Sequence, residues 1–388
     1  MTIALKKSAS LLTAAAAVLV LAGCSGGGAS GDAGGDAPEE LTIAVALPTT
    51  GGSAVLGEPM THGIEMAAKA INEDGGIDGA TIKLINEDTG ADDKTALNAF
   101  NRVTGENPVA VIGFPVSTQG FAVMTQVDRA GIPVVMGGTN SRLAAESDWA
   151  FSMTSSDAIT SRAAAQFAVE SLGVSKVAVL RESGELGTGA FEVLTEAAEE
   201  FDFEIVDEEI FQSGDVDLST QANNLRNSDA EMLFIYGQQA DYIVAANALA
   251  TAGVKLPSFV AGLQPGTYAQ LNQEGFETIY NRNQCIPSAA TEGDLADWSA
   301  AYEEEFGEAP TEYAAIAYDG MMLLAEAIKE AGTDPEAIRT ALTELPESEG
   351  ICGAHEGTET GNLSFGVTIG HYEDGTYVPD EQLTVDPK

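Results

Sequence analysis

Two groups of hydroxyl-bearing residues follow apolar, strand-like runs and are placed to bind a small acidic group. Ser117 and Thr118 come after residues 111–116, and Thr139 follows residues 134–138. If these runs are parallel strands, a ligand binds at their carboxyl ends, where the following helices present free N–H groups. A carboxylate there accepts several charge-assisted hydrogen bonds without an arginine. The alternative is that Ser117 and Thr139 only cap helices, and the residues alone leave both interpretations open.

Patterns that carry catalysis are absent from the sequence. It contains no Gly-x-x-x-x-Gly-Lys-Ser/Thr loop, no His-Glu-x-x-His and no Gly-x-Ser-x-Gly. Residues 184–189 are glycine-rich without the dinucleotide-binding spacing, and residues 215–219 lack the glycine and closing glutamate of a calcium loop. We therefore predict a protein that is not an enzyme and uses no cofactor. An extracellular hydrolase is the alternative, and turnover of a substrate panel would reveal it.

The residues around these groups alternate short apolar runs with helical patterns. The alternation runs from residue 41 to residue 136 and restarts after residue 155, continuing to residue 261. Such repetition predicts parallel sheets covered by helices on both faces. Helical stretches at 293–306 and 311–331 and β-like pieces at 363–368 and 382–385 follow. The folded part exceeds the usual size of one core, so we expect two lobes.

The N-terminus has the layout of a secretory signal peptide. Lys6 and Lys7 precede the apolar residues 11–21, and Leu21-Ala22-Gly23-Cys24 follows. A membrane-spanning helix needs about 18 apolar residues, so this run is too short. Leu-Ala-Gly-Cys resembles the lipobox of bacterial lipoproteins, which implies cleavage after residue 23 and a diacylglycerol on Cys24. An ordinary signal peptide with a chance cysteine is the alternative. Residues 24–40 are expected to form a flexible tether.

The chain is strongly acidic, with 17 basic and 60 acidic residues and a formal charge of −43. Loss of Lys6 and Lys7 with the leader would bring the charge to −45. Nucleic acid is excluded as a partner, because binding it requires basic stripes. A free anion is repelled at long range, so a zwitterionic or neutral ligand is favoured over a simple dicarboxylate.

The remaining cysteines favour a disulfide. With Cys24 lipidated, Cys285 and Cys352 form an even pair in an oxidising compartment, and a disulfide is favoured over two free thiols. His62, His355 and His371 have no ligand spacing with a cysteine, which argues against a metal site.

Four further motifs carry a family resemblance. Residues 71–79 (INEDGGIDG), 113–117 (GFPVS), 131–133 (GIP) and 317–332 (AYDGMMLLAEAIKEAG) resemble the solute-binding lipoproteins of branched-chain amino acid ABC transporters. The resemblance covers about residues 41–378. It implies a type I periplasmic binding protein fold, an α/β architecture of two Rossmann-like lobes with parallel central sheets, three hinge crossovers and a ligand cleft.

The resemblance also implies domain limits, a location and partners. The crossovers should fall near residues 154–157, 285–289 and 353–359. Lobe 1 would be 41–155 plus 288–354, and lobe 2 would be 156–287 plus 355–388. The protein would be a monomer, anchored by its lipid to the outer face of the cytoplasmic membrane, delivering its ligand to an ABC permease. The alternative, a membrane-tethered sensor, would need a second transmembrane helix and a cytoplasmic output segment, which the sequence does not contain.

By resemblance, the first lobe holds an amino-acid ligand through its backbone end. Ser117 and Thr139 would bind the α-carboxylate, and the Gly137 carbonyl would accept from the ammonium. Leu56 and Phe114 are expected to line the cleft on this side, and the alternative for either is a place in the hydrophobic core.

The second lobe departs from the family pattern. Leu186 stands where an aromatic residue is common, Gln239 where a tyrosine is, and Leu263 or Gln264 where an acidic residue neutralises the ammonium. A buried ammonium without a counter-charge is costly. This puts a standard α-amino acid in doubt. The expected ligand is a small polar molecule, either amino-acid-like, an amide, a urea-like or hydroxylated compound, or a related carboxylate.

Overall fold

The computed structural model describes residues 39–363 and 366–384. The predicted signal peptide, Cys24 and the tether up to residue 38 lie outside the described residues. In the described part, no helix is both long and apolar enough to cross a membrane.

The first sheet has five parallel strands, which are numbered along the chain with the ranges given at the end of this paragraph. Their order across the sheet is β2-β1-β3-β4-β5. β1 buries nearly every side chain, as expected for a strand with helices on both faces. Asp92 begins α2 by accepting a hydrogen bond from the Thr95 backbone N at 3.0 Å. The elements are β1 (Glu40–Leu47), α1 (Ala54–Glu73), β2 (Thr81–Asp88), α2 (Asp93–Thr104), β3 (Ala110–Gly113), α3 (Ser117–Ala130), β4 (Val134–Met136), a 3-10 turn (Ala144–Glu146) and β5 (Ala150–Ser152).

The second sheet begins with five parallel strands, β7-β6-β8-β9-β10. Helices of the same segment cover both of its faces, and the elements alternate as the sequence predicts. They are α4 (Asp157–Glu170), β6 (Lys176–Glu182), α5 (Glu185–Phe201), β7 (Glu204–Phe211), α6 (Ser219–Leu225), β8 (Met232–Tyr236), α7 (Gln239–Ala252), β9 (Leu256–Val260), α8 (Pro265–Tyr268) and β10 (Phe276–Asn283).

The C-terminal part returns to the first sheet and then completes the second. It comprises α9 (Asp294–Phe306), α10 (Glu312–Ala331), α11 (Pro335–Thr343), β11 (Ser348–Gly350), β12 (Gly353–His355), β13 (Gly366–Glu373) and β14 (Thr376–Thr384). β13 pairs antiparallel with β10 and β14. Asp374 and Gly375 join β13 to β14 with positive φ angles, the conformation of a tight hairpin. The predicted fold class is confirmed, with this antiparallel hairpin added at one edge.

Close helix packing builds the core of the first lobe, the part formed around the first sheet. α1 lies against α10, and a Cβ on Gly63 would stand 2.0 Å from the Ala314 carbonyl oxygen. Glycine is therefore required for these helices to approach. The apolar residues of both helices join Cys285, Cys352 and Leu363 in one core, while two other cores flank the second sheet.

In the described residues, the chain leaves the first sheet between β5 and α4 and returns after β10. Leu363 still packs in the first core, and Gly366 begins β13 of the second sheet, so the third change of lobe falls after Leu363. This third change of lobe lies further along the chain than the predicted 353–359. His355 Nε2 is 3.1 Å from Asp319 Oδ2 on α10, and Leu363 packs in the first core. Residues 355–363 thus pack with the first lobe, whereas the predicted boundary assigns them to the second.

Candidate functional site

The carboxyl ends of both sheets face a cleft between the lobes. Its walls combine strand-end loops of both sheets with the first crossover and the start of α10, the arrangement expected for a ligand site in α/β proteins. The lining residues are Leu56, Pro115, Ser117, Gly137, Thr139, Asp157, Thr160, Leu186, Tyr236, Gly237, Gln238, Gln239, Ala261, Gly262, Arg282 and Tyr313.

Ser117 is the first residue of α3 and does not cap it. Val116 occupies the cap position, and no side chain makes a capping hydrogen bond there. The buried Ser117 hydroxyl instead accepts from the Asn140 backbone N at 3.3 Å. Its own proton is left to donate, beside the free N–H groups that begin α3. The capping interpretation is therefore wrong for Ser117, and a carboxylate fits this corner.

Thr139 also does not cap a helix, because only turns and the short Ala144–Glu146 segment follow it. Its carbonyl accepts from the Asp157 backbone N at 2.6 Å. Its hydroxyl faces the Asp157 carboxylate and stabilises the ionised form. A hydroxyl that donates to a carboxylate offers its lone pairs to the ligand. Thr139 therefore lies in the cleft beside an acidic side chain.

Asp157 is an acidic residue at the cleft, away from positions 263 and 264 where the family pattern has one. It begins α4 at the first crossover, is 8% exposed, and its Oδ2 has no hydrogen-bond partner. Burial raises the pKa of this carboxyl to about 7, against the lowering effects of the Thr139 hydroxyl and the Arg282 charge. The family resemblance predicts an acid at position 263 or 264 and none at 157. The polar run at residues 154–157 was the one available signal for Asp157.

Gln239 lines the cleft, but its amide is already engaged. Nε2 donates to the Gly262 carbonyl oxygen at 2.9 Å, and Oε1 accepts from the Gln264 backbone N at 3.1 Å. The side chain therefore holds the loop after β9 in place. Gln238 lies beside it on the same wall.

Arg282 on β10 is the other functional residue that the sequence reasoning missed. Its side chain is 5% exposed, and Nη1 lies 3.7 Å from Glu312 Oε2. Neither Nε nor Nη1 has a hydrogen-bond partner. Apart from its position at a strand end, nothing in the sequence distinguishes it.

Four of the ten predicted ligand residues do not line the cleft. Phe114 is fully buried and packs on Phe100, with ring centroids 6.0 Å apart. Leu263 is fully buried in the second lobe. Gln264 turns its amide to Glu312 at 3.2 Å, and Thr118 is exposed. Leu56, Ser117, Gly137, Thr139, Leu186 and Gln239 do line it.

One side of the cleft is held shut by a contact that we name the latch, formed by Asn140, Arg142 and Glu185. Asn140 Nδ2 donates to the Glu185 carbonyl, and Arg142 pairs with the Glu185 carboxylate. A Cβ on Gly189 would stand 2.5 Å from Asn140 Nδ2. The glycine-rich run at 184–189 thus lets α5 approach the first lobe, where the sequence suggested only a weak nucleotide motif.

Cys285 and Cys352 are bonded in the structure, with Cα atoms 4.8 Å apart. Cys285 follows β10 at the second crossover, whereas Cys352 lies between β11 and β12 rather than on a crossover. The Cys352 backbone N donates to Asp319 Oδ2 at 2.8 Å. The link fixes the crossover to the first lobe.

A larger cavity of about 670 Å³ lies between α1, α10 and β11. Asp319 and His355 on its floor are hydrogen-bonded to each other, and it belongs to one lobe. Its lining includes exposed charged side chains, but none of it comes from the carboxyl ends of the second sheet. Within the described residues, no cluster of three or more His, Cys, Asp or Glu side chains is suited to hold a metal ion.

The family of this chain follows from a match along most of its length. The family described as "Periplasmic binding protein" matches residues 40–376. The chain belongs to this family. Its members bind solutes, and the predicted resemblance is confirmed.

Two curated relatives set the scale of the similarity. Leu/Ile/Val-binding protein homolog 3 of Brucella melitensis is 25% identical over 350 residues, covering 87% of this chain and 93% of the relative. An amino acid binding protein of Pseudomonas aeruginosa is 28% identical over 201 residues, covering 51% of this chain. In that second case the chain spans about half of the relative, 54% of its length.

Solved structures share the fold. A leucine binding protein of Thermotoga maritima has a TM-score of 0.80 at 23% identity, covering 89% of this chain and 99% of that one. A solute binding protein of an ABC transporter from Rhodopseudomonas palustris, in complex with p-hydroxybenzoic acid, has a TM-score of 0.80 at 17% identity, covering 90% of this chain and 98% of that one.

Proposed function

We propose that this protein is the extracytoplasmic binding component of an ABC importer and captures a small zwitterionic solute between its lobes. The observation that carries the proposal is Asp157 Oδ2, a buried carboxylate oxygen without a partner at the cleft. Leaving such an atom unmatched is costly, and a ligand ammonium would satisfy it.

The first lobe and the crossover offer one partner for each end of an amino-acid backbone. The ammonium would meet Asp157 and the Thr139 oxygen, while the carboxylate would meet the Ser117 hydroxyl and the start of α3. The positive end of the ligand would thus meet an acidic side chain, and the negative end would meet hydrogen-bond donors. This reverses the expectation that a standard α-ammonium has no counter-charge here.

Aromatic carboxylates are the second candidate class, because the p-hydroxybenzoate complex has the same fold. Tyr236 and Tyr313 line the cleft, and burial raises the pKa of both hydroxyls, which keeps them neutral. A benzoate would leave Asp157 without a cation and place a second anion near it. The amino-acid class is therefore favoured.

Calorimetric titration tests the proposal directly. The probes are L-leucine, L-glutamine and p-hydroxybenzoate, titrated into the wild-type protein and the Asp157→Asn variant. We expect at least one amino acid to bind and to lose roughly tenfold to a hundredfold in affinity in the variant. Binding of p-hydroxybenzoate alone, or equal amino-acid affinity in both proteins, would contradict the zwitterion proposal.

We propose further that the protein is lipid-anchored through Cys24 and passes its ligand to a membrane permease. The support is the Leu21-Ala22-Gly23-Cys24 site in the sequence. Changing Cys24 to Ser should move the protein from the membrane to the soluble fraction with its thermal unfolding unchanged. Continued lipid labelling of that variant would refute the anchor.

A further inference from the structure

The cleft has a second set of unmatched polar atoms, on the wall opposite Ser117. They belong to Arg282, at the end of β10, whose Nε and Nη1 have no hydrogen-bond partner. Arg282 is 4% exposed, so water does not take the place of those partners across the side chain. Buried N–H groups are nearly always hydrogen-bonded, so two on one guanidinium require an explanation.

Glu312 neutralises Arg282 without occupying its donors. Glu312 Oε2 is 3.7 Å from Nη1, beyond hydrogen-bond distance. Its two oxygens accept instead from Gln264 Nε2 and from the Gln284 backbone N, each at 3.2 Å. The ion pair therefore leaves the guanidinium with charge compensation and open N–H groups.

Gly262 lies beside Nη2 of Arg282 and the Tyr313 hydroxyl. A Cβ there would be in ordinary van der Waals contact with both, 3.7 Å from Arg282 Nη2 and 3.8 Å from the Tyr313 hydroxyl. Gln239 holds the Gly262 loop through its hydrogen bond to the Gly262 carbonyl, at 2.9 Å. A ligand group that reaches this wall of the cleft therefore meets the Arg282 guanidinium beside a loop that hydrogen bonds hold in place.

We infer that Arg282 binds a neutral carbonyl of the ligand, and that the solute is an amino acid with an amide or ureido side chain. This rests on the proposed function, in which Asp157 and Ser117 hold the backbone end of a zwitterion. The side chain then crosses the cleft, and its carbonyl oxygen accepts from the open guanidinium N–H groups.

The charges around the cleft favour a neutral carbonyl over a second carboxylate. Asp157, Glu182 and Glu312 are buried acids in this region, and Arg282 is a buried base close to Asp157 and Glu312. Another carboxylate would add to a buried negative excess, which a low-dielectric site penalises. The overall charge of −43 acts in the same direction at long range.

The test compares side chains of similar length that differ at the tip. L-glutamine, L-citrulline, L-glutamate and L-norleucine are titrated calorimetrically into the wild-type protein. We expect L-glutamine or L-citrulline to bind at least tenfold more tightly than L-norleucine and L-glutamate, since norleucine has no acceptor for Arg282.

The matched variant removes both members of the ion pair, because removing one leaves a buried charge unpaired. In Arg282→Met with Glu312→Gln, the preference for the amide ligand over L-norleucine should disappear, in addition to a loss common to all the amino acids because the Arg282 charge no longer lowers the pKa of Asp157. Arg282→Lys is the second variant: it retains the charge, loses the guanidinium fork and should also weaken amide binding about tenfold. Thermal unfolding of each variant verifies the fold.

The outcomes separate this inference from the proposed function. If L-norleucine binds as tightly as L-glutamine, if L-glutamate binds best, or if the paired variant loses all four ligands equally, the inference is overturned while a zwitterion site stands. If neither L-leucine nor any of the four amino acids binds, both this inference and the proposed function are contradicted.

Discussion

The charge of Asp157 in the cleft depends on the pH of the solution. Its carboxyl is buried, one oxygen has no partner, and its pKa is raised to about 7. The groups that face it are the Thr139 hydroxyl, the Arg282 charge and the Glu182 charge. A small change in pH near neutrality thus changes the charge of the proposed ammonium partner.

Binding of an ammonium-bearing ligand should therefore depend on pH. Only ionised Asp157 attracts the cation, so the dissociation constant should rise about tenfold per pH unit below about 7 and level off above it. Calorimetric titration from pH 5 to pH 8 measures this, with Asp157→Asn as the control that should show no such slope. A wild-type affinity that does not vary across this range would contradict the assignment.

Stability of the ligand-free protein should respond in the opposite sense. A raised folded-state pKa means that the native protein binds the Asp157 proton more tightly than the unfolded chain does. The contribution of Asp157 to stability therefore falls as the pH rises from 3.8, the ordinary pKa of an aspartate, to about 7, by up to about 4 kcal/mol over the whole interval. Urea unfolding at pH 5 and pH 8 should show this loss in wild type relative to Asp157→Asn. Equal pH dependence in both proteins would refute it.

Ser117 and Thr118 form a matched pair for mutation. Ser117 lines the cleft, whereas its neighbour Thr118 is exposed and does not. Ser117→Ala should weaken ligand binding roughly tenfold to a hundredfold, with a loss of fold stability of about 1 kcal/mol, because one hydrogen bond from Asn140 is removed. Thr118→Ala should bind as wild type does. Titration of both variants decides between a ligand contact and a purely local role.

The sequence predicted which residues line the cleft when they follow the carboxyl end of a strand. It did not do so when tertiary packing determines the direction of the side chain. Ser117, Thr139 and Gln239 follow strand ends and line the cleft. Phe114 and Leu263 also follow strand ends, but the backbone turns their side chains into the cores. Asp157 and Arg282 meet only because the crossovers bring distant segments together, which no local pattern encodes.

Among the secondary-structure elements, α5 makes a contact between the two lobes at the side of the cleft. Its first turn carries Glu185, which contacts Asn140 and Arg142 of the first lobe. The alternation of strands and helices that places α5 was readable from hydrophobic patterns. The antiparallel β13–β14 hairpin and the late third crossover were not, because the pairing partners of short strands depend on distant residues.

Gly189→Ala tests whether the latch contributes to binding. The added methyl would approach Asn140 Nδ2 to 2.5 Å, so the closed form is disfavoured although no ligand contact is altered. We expect a faster ligand off-rate and a severalfold weaker affinity, measured by stopped-flow fluorescence. Gly266→Ala, on α8 with no atom within 4 Å of the new methyl, is the control. Asn140→Ala, which removes the latch hydrogen bond to the Glu185 carbonyl, should weaken affinity in the same direction, and unchanged affinity in both variants would contradict a role of the latch in binding.

At the scale of the whole molecule, two α/β lobes joined by three passages of chain enclose a polar cleft. Ligand contacts on both walls would couple binding to closure of the lobes. The large acidic surface keeps free anions away, while the buried charges select a ligand that is neutral overall. Fold and family were thus readable from the sequence, but the nature of the ligand depends on the buried charges that the structure brings together.

Native mass spectrometry tests the central claim, that the cleft captures a zwitterionic solute through Asp157. The purified wild-type protein and Asp157→Asn would each be mixed with the twenty proteinogenic amino acids, L-citrulline and p-hydroxybenzoate. We predict one bound mass on the wild-type protein, equal to that of an amino acid, and a largely unliganded variant. A bound hydroxybenzoate, or the same amino acid retained equally by both proteins, would contradict the claim.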